Sequence, residues 1–564
     1  MNKDIISGGE ALMRSLIKEG VDTVFGYPGG SIMPVFDAMY DHRGDFRQVL
    51  VRHEQGAVHA AQGYARSSGK VGVSIVTSGP GATNTLTGIS DAMLDSTPVV
   101  VIAGQVGTTV LGTDAFQEID FVGITQPITK WSYQIRRPED VAWAVARAFY
   151  IAGTGRPGPV VLDFTKNAQT AMTEYEPASV ECVRSYVPYP APSVEAVEEA
   201  ARLINSAERP FVLVGQGVEL GNAQEELVSF LEKADIPAAR TLLGLSALPS
   251  DHPLCTGMLG MHGNYGPNFN TNECDLLIAV GMRFSDRVTG NINTYAKQAK
   301  VIHIDIDNAE INKNVAADVP IVGDCKEVLP MLTALVNKGD HTEWIASFAK
   351  YNAVEHERVT EKALNPGSGP LFMGEVARRV SEATGNSAIL VTDVGQNQMM
   401  SARYFKYTQP RSILTSGGLG TMGYGLPAAI GAKMAMPNRT VCLFTGDGGL
   451  QMNIQEFGTI MEQGTAVKII LLNNNYLGNV RQWQELFFDH RYSWTPMLNP
   501  DYSLIAQGYG IASRLVVERE ELDSAIKEML EHDGPFLLHV AVKEEANVMP
   551  MTPPGATVSE MIFE

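Results

Sequence analysis

The chain has 564 residues, too many for a single hydrophobic core, and this length indicates about three or four domains. Its formal net charge of -20 argues against a nucleic-acid partner, because phosphate binding needs a basic surface. Its five scattered cysteines include no CxxC pair, which disfavours both a disulfide framework and a zinc–thiolate site.

The N-terminal stretch MNKDIISGGEALMRSLIKEG predicts an amphipathic first helix and lacks the apolar core of a signal peptide. No apolar run approaches the ~20 residues that a membrane helix needs. We therefore expect a cytoplasmic protein with no membrane partner.

Residues 1–170 alternate apolar strands with helical patterns, which predicts a parallel α/β sheet. The predicted strands are 21–25, 49–51, 71–76 and 99–102. Each ends in a loop rich in glycine and polar residues, so a binding site is expected along that edge. Residues 171–192 lose this periodicity and hold four prolines, which predicts a linker.

A second unit is predicted at 193–340, with strands at 211–214, 276–280 and 301–306. The glycine turns after the first two strands are typical of a dinucleotide-binding sheet, but the full glycine fingerprint is missing. A bound nucleotide and a purely structural glycine turn therefore stay open as alternatives. Residues 341–368 are predicted to be another irregular connection.

A third unit is predicted at 369–564 and contains the stretch from Thr440 to Asn475. Apolar strands at 441–444 and 467–472 flank a helical pattern that Gly464 closes, which predicts parallel strands joined by a right-handed crossover. Asp447 and Asn474 then follow the carboxyl ends of neighbouring strands. One carboxylate and one amide oxygen leave positions for diphosphate oxygens and water, as in Mg²⁺ sites. The chain is thus predicted to be an α/β protein with three doubly wound parallel sheets, of which the first and third could follow one plan.

Other catalytic patterns fit poorly. His53, Glu54 and His59 lack the four-residue histidine spacing of zinc proteases, and neither a GxSxG turn nor a Walker A phosphate loop is present. A single strand-end carboxylate such as Glu54 or Asp447 is usually solvated or part of a turn. The combination of GDG and a later NN after a second buried strand is a more specific signal of a binding site than either carboxylate alone.

Motifs along essentially the whole chain resemble those of thiamine diphosphate (ThDP)-dependent decarboxylases and carboligases. Within these enzymes the chain is similar to the catalytic subunits of acetolactate synthase. The motifs that carry the resemblance are FGYPGG, RHEQGA, TSGPGATN, GTDAFQE, GRPGPV, GMLGMHG, MRFSDRVTGN, GGLGTMGYGLPAAIGA, GDGG with NN, GNVRQWQ and PMTPPG.

The resemblance implies that the first domain binds the ThDP pyrimidine, the middle domain binds FAD, and the third binds the diphosphate and Mg²⁺. Glu54 would hydrogen-bond the pyrimidine and promote loss of the first proton, a task for general acid–base catalysis. The backbones of Gly420 and Met422 would bond the other pyrimidine edge, and the Met422 side chain would hold the cofactor bent.

Asp447, Asn474 and the main-chain oxygen of Tyr476 would bind Mg²⁺, by the same resemblance. The further ThDP-binding positions that it implies are Gln396, Gly446, Gly448, Gly449 and Gly478.

The implied reaction joins pyruvate, after loss of CO₂, to a second pyruvate or to 2-oxobutyrate, in the biosynthesis of valine, leucine and isoleucine. Trp483 would favour 2-oxobutyrate, and Arg283 would bind the acceptor carboxylate, for which a planar guanidinium is suited. The other implied substrate-side positions are Gly30, Phe116, Gln117 and Lys166.

FAD would be structural rather than redox-active, and its implied contacts are Arg156, His262, Arg283, Asp305 and Asp324. The resemblance also implies a homodimer or homotetramer with sites between subunits, Glu54 coming from a second subunit, and a regulatory small subunit. The chain departs from the family pattern at Ser31, Thr165, Asn397 and Asn479.

Three other functions are compatible with parts of the sequence. One is a pyruvate oxidase or another ThDP/FAD 2-keto acid decarboxylase, in which FAD would carry electrons. Another is an NAD(P)-linked oxidoreductase that uses the middle sheet, which would leave Glu54 and the GDG–NN pair unexplained. The last is a non-catalytic ThDP-binding protein, which the intact acid, metal ligands and Arg283 disfavour.

Overall fold

The computed structural model describes residues 4–564 and contains three six-stranded parallel sheets, each flanked by helices. The predicted α/β class with three doubly wound sheets is confirmed. Within residues 4–564, no helix has the length and apolarity that crossing a membrane requires.

The first sheet occupies the N-terminal part of the chain. The strands are β1 (Ile5–Ser7), β2 (Thr23–Gly26), β3 (Arg47–Leu50), β4 (Gly72–Val76), β5 (Val99–Gln105), β6 (Trp131–Ile135), β7 (Val160–Thr165) and β8 (Met172–Glu174). The helices are α1 (Gly8–Lys18), α2 (Met33–Asp41), α3 (Glu54–Ser68), α4 (Pro80–Asn84), α5 (Leu86–Leu94), α6 (Phe121–Thr125), α7 (Val141–Gly153) and α8 (Lys166–Thr170). The sheet order is β3-β2-β4-β5-β7-β6, and β1 pairs antiparallel with β8. The region predicted as a linker therefore begins with a strand.

The second sheet has the strand order of a dinucleotide-binding domain. Its strands are β9 (Pro210–Val214), β10 (Ala238–Arg240), β11 (Cys255–Met258), β12 (Leu276–Val280), β13 (Lys300–Asp305) and β14 (Val319–Val322). Its helices are α9 (Val194–Ser206), α10 (Gly217–Leu220), α11 (Gln224–Ala234), α12 (Tyr265–Thr271), α13 (Asp286–Thr289) and α14 (Cys325–Leu335). The order β11-β10-β9-β12-β13-β14 reverses between β9 and β12, where such sheets bind ligands.

Residues 341–368 are not irregular, and that prediction is wrong. They contain α15 (Thr342–Glu355) and α16 (Glu361–Leu364). The indole nitrogen of Trp344 donates to the Pro210 carbonyl at 2.8 Å, and Phe348 packs on Phe211 at 4.9 Å between ring centres. Because α15 buries only Trp344, Phe348 and Glu355, its apolar periodicity is too sparse to read from the sequence.

The third sheet repeats the plan of the first. Its strands are β15 (Ile389–Thr392), β16 (Ile413–Leu414), β17 (Val441–Gly446), β18 (Lys468–Asn473), β19 (Ala512–Val516) and β20 (Phe536–Ala541). Its helices are α17 (Met373–Ala383), α18 (Gln396–Tyr404), α19 (Gly425–Ala435), α20 (Asp447–Met452), α21 (Phe457–Gln463), α22 (Gly478–Phe487), α23 (Tyr502–Gly508) and α24 (Leu522–Glu531). The order β16-β15-β17-β18-β20-β19 matches that of the first sheet, strand for strand.

The crossover inside the stretch from Thr440 to Asn475 differs in detail from the predicted single helix. Helix α21 ends at Gly464 with a φ of 61°, as predicted, but α20 precedes it and the two are separated near Asn453. The Asn453 side chain donates to the Gly423 carbonyl at 2.7 Å. This bond ties the break between the helices to a neighbouring loop.

The first and third domains pack together through α3 and α19. A Cβ atom on Gly63 would lie 2.0 Å from the Ala428 oxygen, and one on Gly431 would lie 1.9 Å from the Ala60 oxygen. Glycine at these positions lets the two backbones touch, and a continuous apolar core joins both domains.

Candidate cofactor and substrate site

Asp447 lies at the carboxyl end of β17 and is the first residue of α20. Its side chain is buried, accepts from Asn499 Nδ2 at 2.7 Å and from the Gly448 amide at 3.1 Å. Burial raises the pKa of Asp447 to about 6. No Lys, Arg or His pairs with this carboxylate within residues 4–564, so a bound cation would supply the missing positive charge.

Asn474 follows β18 and lies close to the starts of two helices. Its Nδ2 is 3.4 Å from Gln396 Oε1, at the beginning of α18. A Cβ atom on Gly478, the first residue of α22, would lie 2.2 Å from that same oxygen. The structure thus brings Gln396, Asn474 and Gly478 together, and Tyr476 lies on the loop between the last two.

This edge fits a diphosphate with Mg²⁺. Helices α18, α20 and α22 all begin here, and the free N–H groups at helix starts favour anions. Within the part of the chain that the structure describes, no three His, Cys, Asp or Glu side chains form a metal cluster. The donor set of one carboxylate and one amide is therefore suited to a metal that shares its ligands with a diphosphate.

Met422 and Gly420 lie on the loop before α19. A Cβ atom on Gly448 would come within 3.4 Å of Met422 Cε, so this side chain lies over the GDGG turn. Gly420 has a φ of 72° and open space around it. The loop is therefore exposed on the side that a cofactor would occupy.

Glu54 begins α3 at the carboxyl edge of the first sheet. Asn84 Nδ2 donates to Glu54 Oε2 at 2.9 Å, and a Cβ atom on Gly81 would lie 3.3 Å from Oε1. A Cβ atom on Gly79 would lie 2.9 Å from the backbone of Gln117. The loop after β4 therefore brings Glu54 and Gln117 to one place.

The remaining substrate-side positions lie on loops at the same edge. Phe116 is 88% exposed, an unusual state for a phenylalanine. Gly30 and Lys166 are also exposed, after β2 and β7 respectively. No hydrogen bond or ion pair within residues 4–564 joins Glu54 to Asp447, Asn474 or Met422. The hydrogen bonds of the folded chain therefore do not link Glu54 directly to the residues predicted to bind the diphosphate and Mg²⁺.

A cavity of about 1530 Å³ is lined by residues of all three domains. All the positions predicted for FAD line it, and so do two positions predicted for the ThDP and acceptor sites. These residues are Arg156, His262, Arg283, Asp305, Asp324, Gly420 and Trp483. The structure thus places the predicted flavin and acceptor residues around one continuous space.

The wall of this cavity fits a nucleotide cofactor. A Cβ atom on Gly217 would lie 2.6 Å from the Gly281 backbone, so only glycine allows the loops after β9 and β12 to approach this closely. Burial lowers the pKa of His262 to about 3 and raises that of Asp305 to about 6. His262 Nδ1 and Glu310 Oε2 are buried without a hydrogen-bond partner in residues 4–564. Such groups can be satisfied by a polar ligand in the cavity.

Arg156 is already neutralised by acidic residues. It contacts Asp307 at 3.0 Å and Glu310 at 2.6 Å, and its Nε donates to Ser96 at 2.9 Å. Arg156 would therefore contribute to ligand binding through its shape and hydrogen bonds more than through net charge.

Asn499 was not identified from the sequence. Its Nδ2 donates to Asp447, and it also lies 3.1 Å from the side-chain oxygens of both Asn473 and Asn475. It comes from a loop far along the chain with no motif of its own, so only the folded structure could reveal it.

The four departures from the family pattern are accommodated locally. Asn397 donates to the carbonyls of Asp393 and Phe444, at 2.9 and 3.1 Å, and so joins the ends of β15 and β17. Ser31 Oγ contacts Ser78 Oγ at 2.7 Å, and Thr165 Oγ1 donates to the Ile135 carbonyl at 2.9 Å. Asn479 lines the cavity together with Trp483.

The sequence matches three family profiles of thiamine pyrophosphate enzymes: the N-terminal TPP binding domain at residues 6–124, the central domain at 197–332, and the C-terminal TPP binding domain at 393–540. It is 45% identical over 558 residues to the acetolactate synthase isozyme 2 large subunit of Escherichia coli, covering 99% of each chain. It is 43% identical over 559 residues to the acetolactate synthase large subunit of Lactococcus lactis, covering 99% of this chain and 96% of that protein. It is 44% identical over 570 residues to the corresponding protein of Corynebacterium glutamicum, covering 99% of this chain and 90% of that protein.

Proposed function

Because this chain belongs to the acetolactate synthase large subunits of the thiamine pyrophosphate enzyme family, we propose that it forms 2-acetolactate from two pyruvate molecules. With 2-oxobutyrate as the acceptor, the product is 2-aceto-2-hydroxybutyrate. These products lead to valine, leucine and isoleucine. The relatives do not favour a pyruvate oxidase.

One observation carries the proposal: Asp447 and Asn474 lie at neighbouring strand ends where three helices begin. This arrangement supports Mg²⁺ and diphosphate binding through Asp447, Asn474 and Tyr476, as argued above. The domains at 1–170, 193–340 and 369–564 then bind the pyrimidine, FAD and the diphosphate, respectively.

ThDP, when bound, supplies the electron sink that decarboxylation of a 2-keto acid requires. Glu54 holds and moves the proton exchanged with the pyrimidine ring, and Asn84 keeps its carboxylate in place. Met422 would pack against the bound cofactor, and the apolar part of the cavity would exclude water.

Trp483 and Arg283 line the acceptor side of the cavity. Arg283 binds the acceptor carboxylate with its planar guanidinium. Trp483 contacts the additional methyl group of 2-oxobutyrate, which is worth about 1–3 kcal/mol of discrimination. Gly30, Phe116, Gln117 and Lys166 close the site from the first domain.

FAD fits the cavity wall and has a structural role in this proposal. The names of the relatives describe them as large subunits, which supports a small-subunit partner for this chain too. Glu54 and Asp447 begin helices of different domains, α3 and α20, and the proposal places them in sites shared between the subunits of a homodimer or homotetramer.

Product analysis tests the proposal most directly. The holoenzyme with pyruvate, ThDP and Mg²⁺ is expected to release acetolactate, and with added 2-oxobutyrate to release 2-aceto-2-hydroxybutyrate, without net flavin reduction. Stoichiometric bleaching of the flavin by pyruvate in the absence of oxygen would instead identify an oxidase. Activity that depends on NADH and not on ThDP would identify a dehydrogenase.

A further inference from the structure

The loop from Ser416 to Thr421 joins β16 to α19 and forms part of the cavity wall. It belongs to the third domain and contains Gly420. Its main contacts with charged groups come from the first domain, where Asp91 lies on α5 and Asp95 lies directly after it.

Asp95 holds the backbone at the beginning of this loop. Its Oδ2 accepts from the Gly417 amide at 2.8 Å, and its Oδ1 accepts from the Gly418 amide at 2.7 Å. A Cβ atom on Gly418 would lie 2.9 Å from Asp95 Oδ1, so the carboxylate is in close contact with the loop. Both oxygens of one carboxylate therefore fix two successive peptide groups.

Asp91 holds the two ends of the loop together. Its Oδ1 accepts from Ser416 Oγ and from Thr421 Oγ1, the latter at 3.0 Å. Ser416 Oγ in turn accepts from the Thr421 amide at 2.8 Å. One oxygen atom thus closes the loop between its first and last residues.

Two buried carboxylates beside this loop face one guanidinium, an arrangement that is not expected to stabilise the fold. Asp91 and Asp95 are both fully buried, and the one guanidinium beside them belongs to Arg66, 3.7 Å from Asp95. Glu219 and Tyr424 also lie near the Arg66 guanidinium. Burial, together with the charge of Asp91, raises the pKa of Asp95 to about 6. Replacing buried charges by apolar residues is often neutral or stabilising, so a positional role explains their presence better.

We infer that Asp91 and Asp95 are positioning residues that hold the Ser416–Thr421 loop in the conformation that receives the cofactor. The inference deepens the proposed function and rests on it for the identity of the ligand. Arg66 supports the same loop by donating to the Thr415 carbonyl at 2.6 Å. Arg66 and Glu54 lie on the same helix, α3, so this helix carries the proposed proton-transfer residue and also supports the loop of its own chain.

The test compares Asp95→Asn with Asp163→Asn, which makes the same chemical change at an equally buried carboxylate that does not contact the loop. Hydrogen exchange of peptides covering 414–424 is measured on the protein without ThDP, and the Kd for Mg-ThDP is measured by calorimetry. We expect Asp95→Asn to speed exchange of the Gly417 and Gly418 amides about tenfold or more and to raise the Kd by a similar factor. Asp163→Asn should change neither measurement.

Thr421→Val is a second variant, since it removes one hydrogen bond to Asp91 and leaves both carboxylates in place. Faster exchange confined to 414–424 in both Asp95→Asn and Thr421→Val, with weaker Mg-ThDP binding, supports the inference. Unchanged loop exchange, or faster exchange spread evenly over the whole protein, overturns it. The hydrogen-exchange measurement does not require catalytic turnover. If the protein formed no acetolactate, that would count against the proposed function, and the exchange data would still test the role of Asp91 and Asp95.

Discussion

Glu54 and Asp447 are carboxylates whose nearest donors are neutral amides. Asn84 donates to Glu54, and Asn499 donates to Asp447. A neutral donor orients a carboxylate without neutralising it. Within residues 4–564 no cationic side chain pairs with either carboxylate, so a bound group can interact with both of them.

Glu54→Gln should slow exchange of the ThDP C2 proton by a factor of about 100 to 10,000, because the amide cannot move a proton. NMR of the quenched cofactor measures this rate. The unfolding temperature serves as the control and should stay close to the wild-type value. An unchanged exchange rate would refute the role of Glu54.

Trp483→Leu should reduce the preference for 2-oxobutyrate over pyruvate roughly 10-fold or more, since it removes a contact worth one methylene. Competition between the two acceptors and the resulting product ratio measure the effect. Trp494→Leu is the matched control, because Trp494 is 95% exposed and does not line the cavity. An unaltered ratio in Trp483→Leu would rule out the contact.

Asp163→Asn should change the pH dependence of stability. Burial raises the pKa of Asp163 from 3.8 to about 6, so its contribution to stability is fully present below pH 3.8 and is lost as the pH rises through 6. The variant lacks this titration and should gain about 1 kcal/mol relative to the wild type between pH 5 and pH 8. Unfolding temperatures of both proteins at the two pH values test this, and a constant difference would contradict it.

At the level of elements, the packing of α3 against α19 sets the distance between the first and third domains. The close approach depends on small residues, since Gly63 and Gly431 each face a backbone oxygen of the other helix. Helix α3 begins at Glu54 and α19 follows the loop that contains Gly420 and Met422. The contact between α3 and α19 therefore connects the segment that carries Glu54 to the loop that carries Gly420 and Met422 within each chain.

Gly63→Ala should destabilise the protein by about 1–3 kcal/mol, because the added methyl group would overlap the Ala428 carbonyl. Thermal unfolding measures the loss. Gly508→Ala, at an exposed position at the end of α23 with no atom within 4 Å of the new methyl group, is the control and should be neutral or slightly stabilising. Equal unfolding temperatures for the two variants would show that the helices can separate at no cost.

At the level of the whole molecule, we propose that the site is shared between two copies of the chain. Glu54 lies at the carboxyl edge of the first sheet and Asp447 lies at that of the third, and within residues 4–564 no hydrogen bond joins the two side chains. In a two-fold dimer, the edge of the first sheet in one subunit can face the edge of the third sheet in its partner, and the reverse.

Two inactive variants, Glu54→Gln and Asp447→Asn, should therefore complement each other when co-expressed. In a mixed dimer one site carries both changes and the other carries neither, so random mixing should restore about a quarter of the wild-type activity. Acetolactate formation by the purified mixture measures this. Each variant expressed alone is the control, and a mixture as inactive as both controls would place Glu54 and Asp447 in the same chain's site.

Much of this protein could be predicted from its sequence, because the signals are local. Strands such as β12 and β17 are short apolar runs, and the turns after them are marked by glycine, so three parallel sheets could be predicted. Asp447 and Asn474 could be placed at one edge because parallel strands all end on the same side. The full-length motifs then identified the family, which the relatives confirm.

Other features were decided only by the tertiary structure, because they depend on contacts between residues distant in the chain. Helix α15 buries too few side chains to show a period, and its place is set by Phe211 and Pro210. Asn499 and the pair Asp91 and Asp95 carry no motif, and folding alone brings them to Asp447 and to the Ser416–Thr421 loop. A sequence pattern indicates which face of a helix or strand a residue occupies. The residue that it contacts in another domain is determined by how the domains pack.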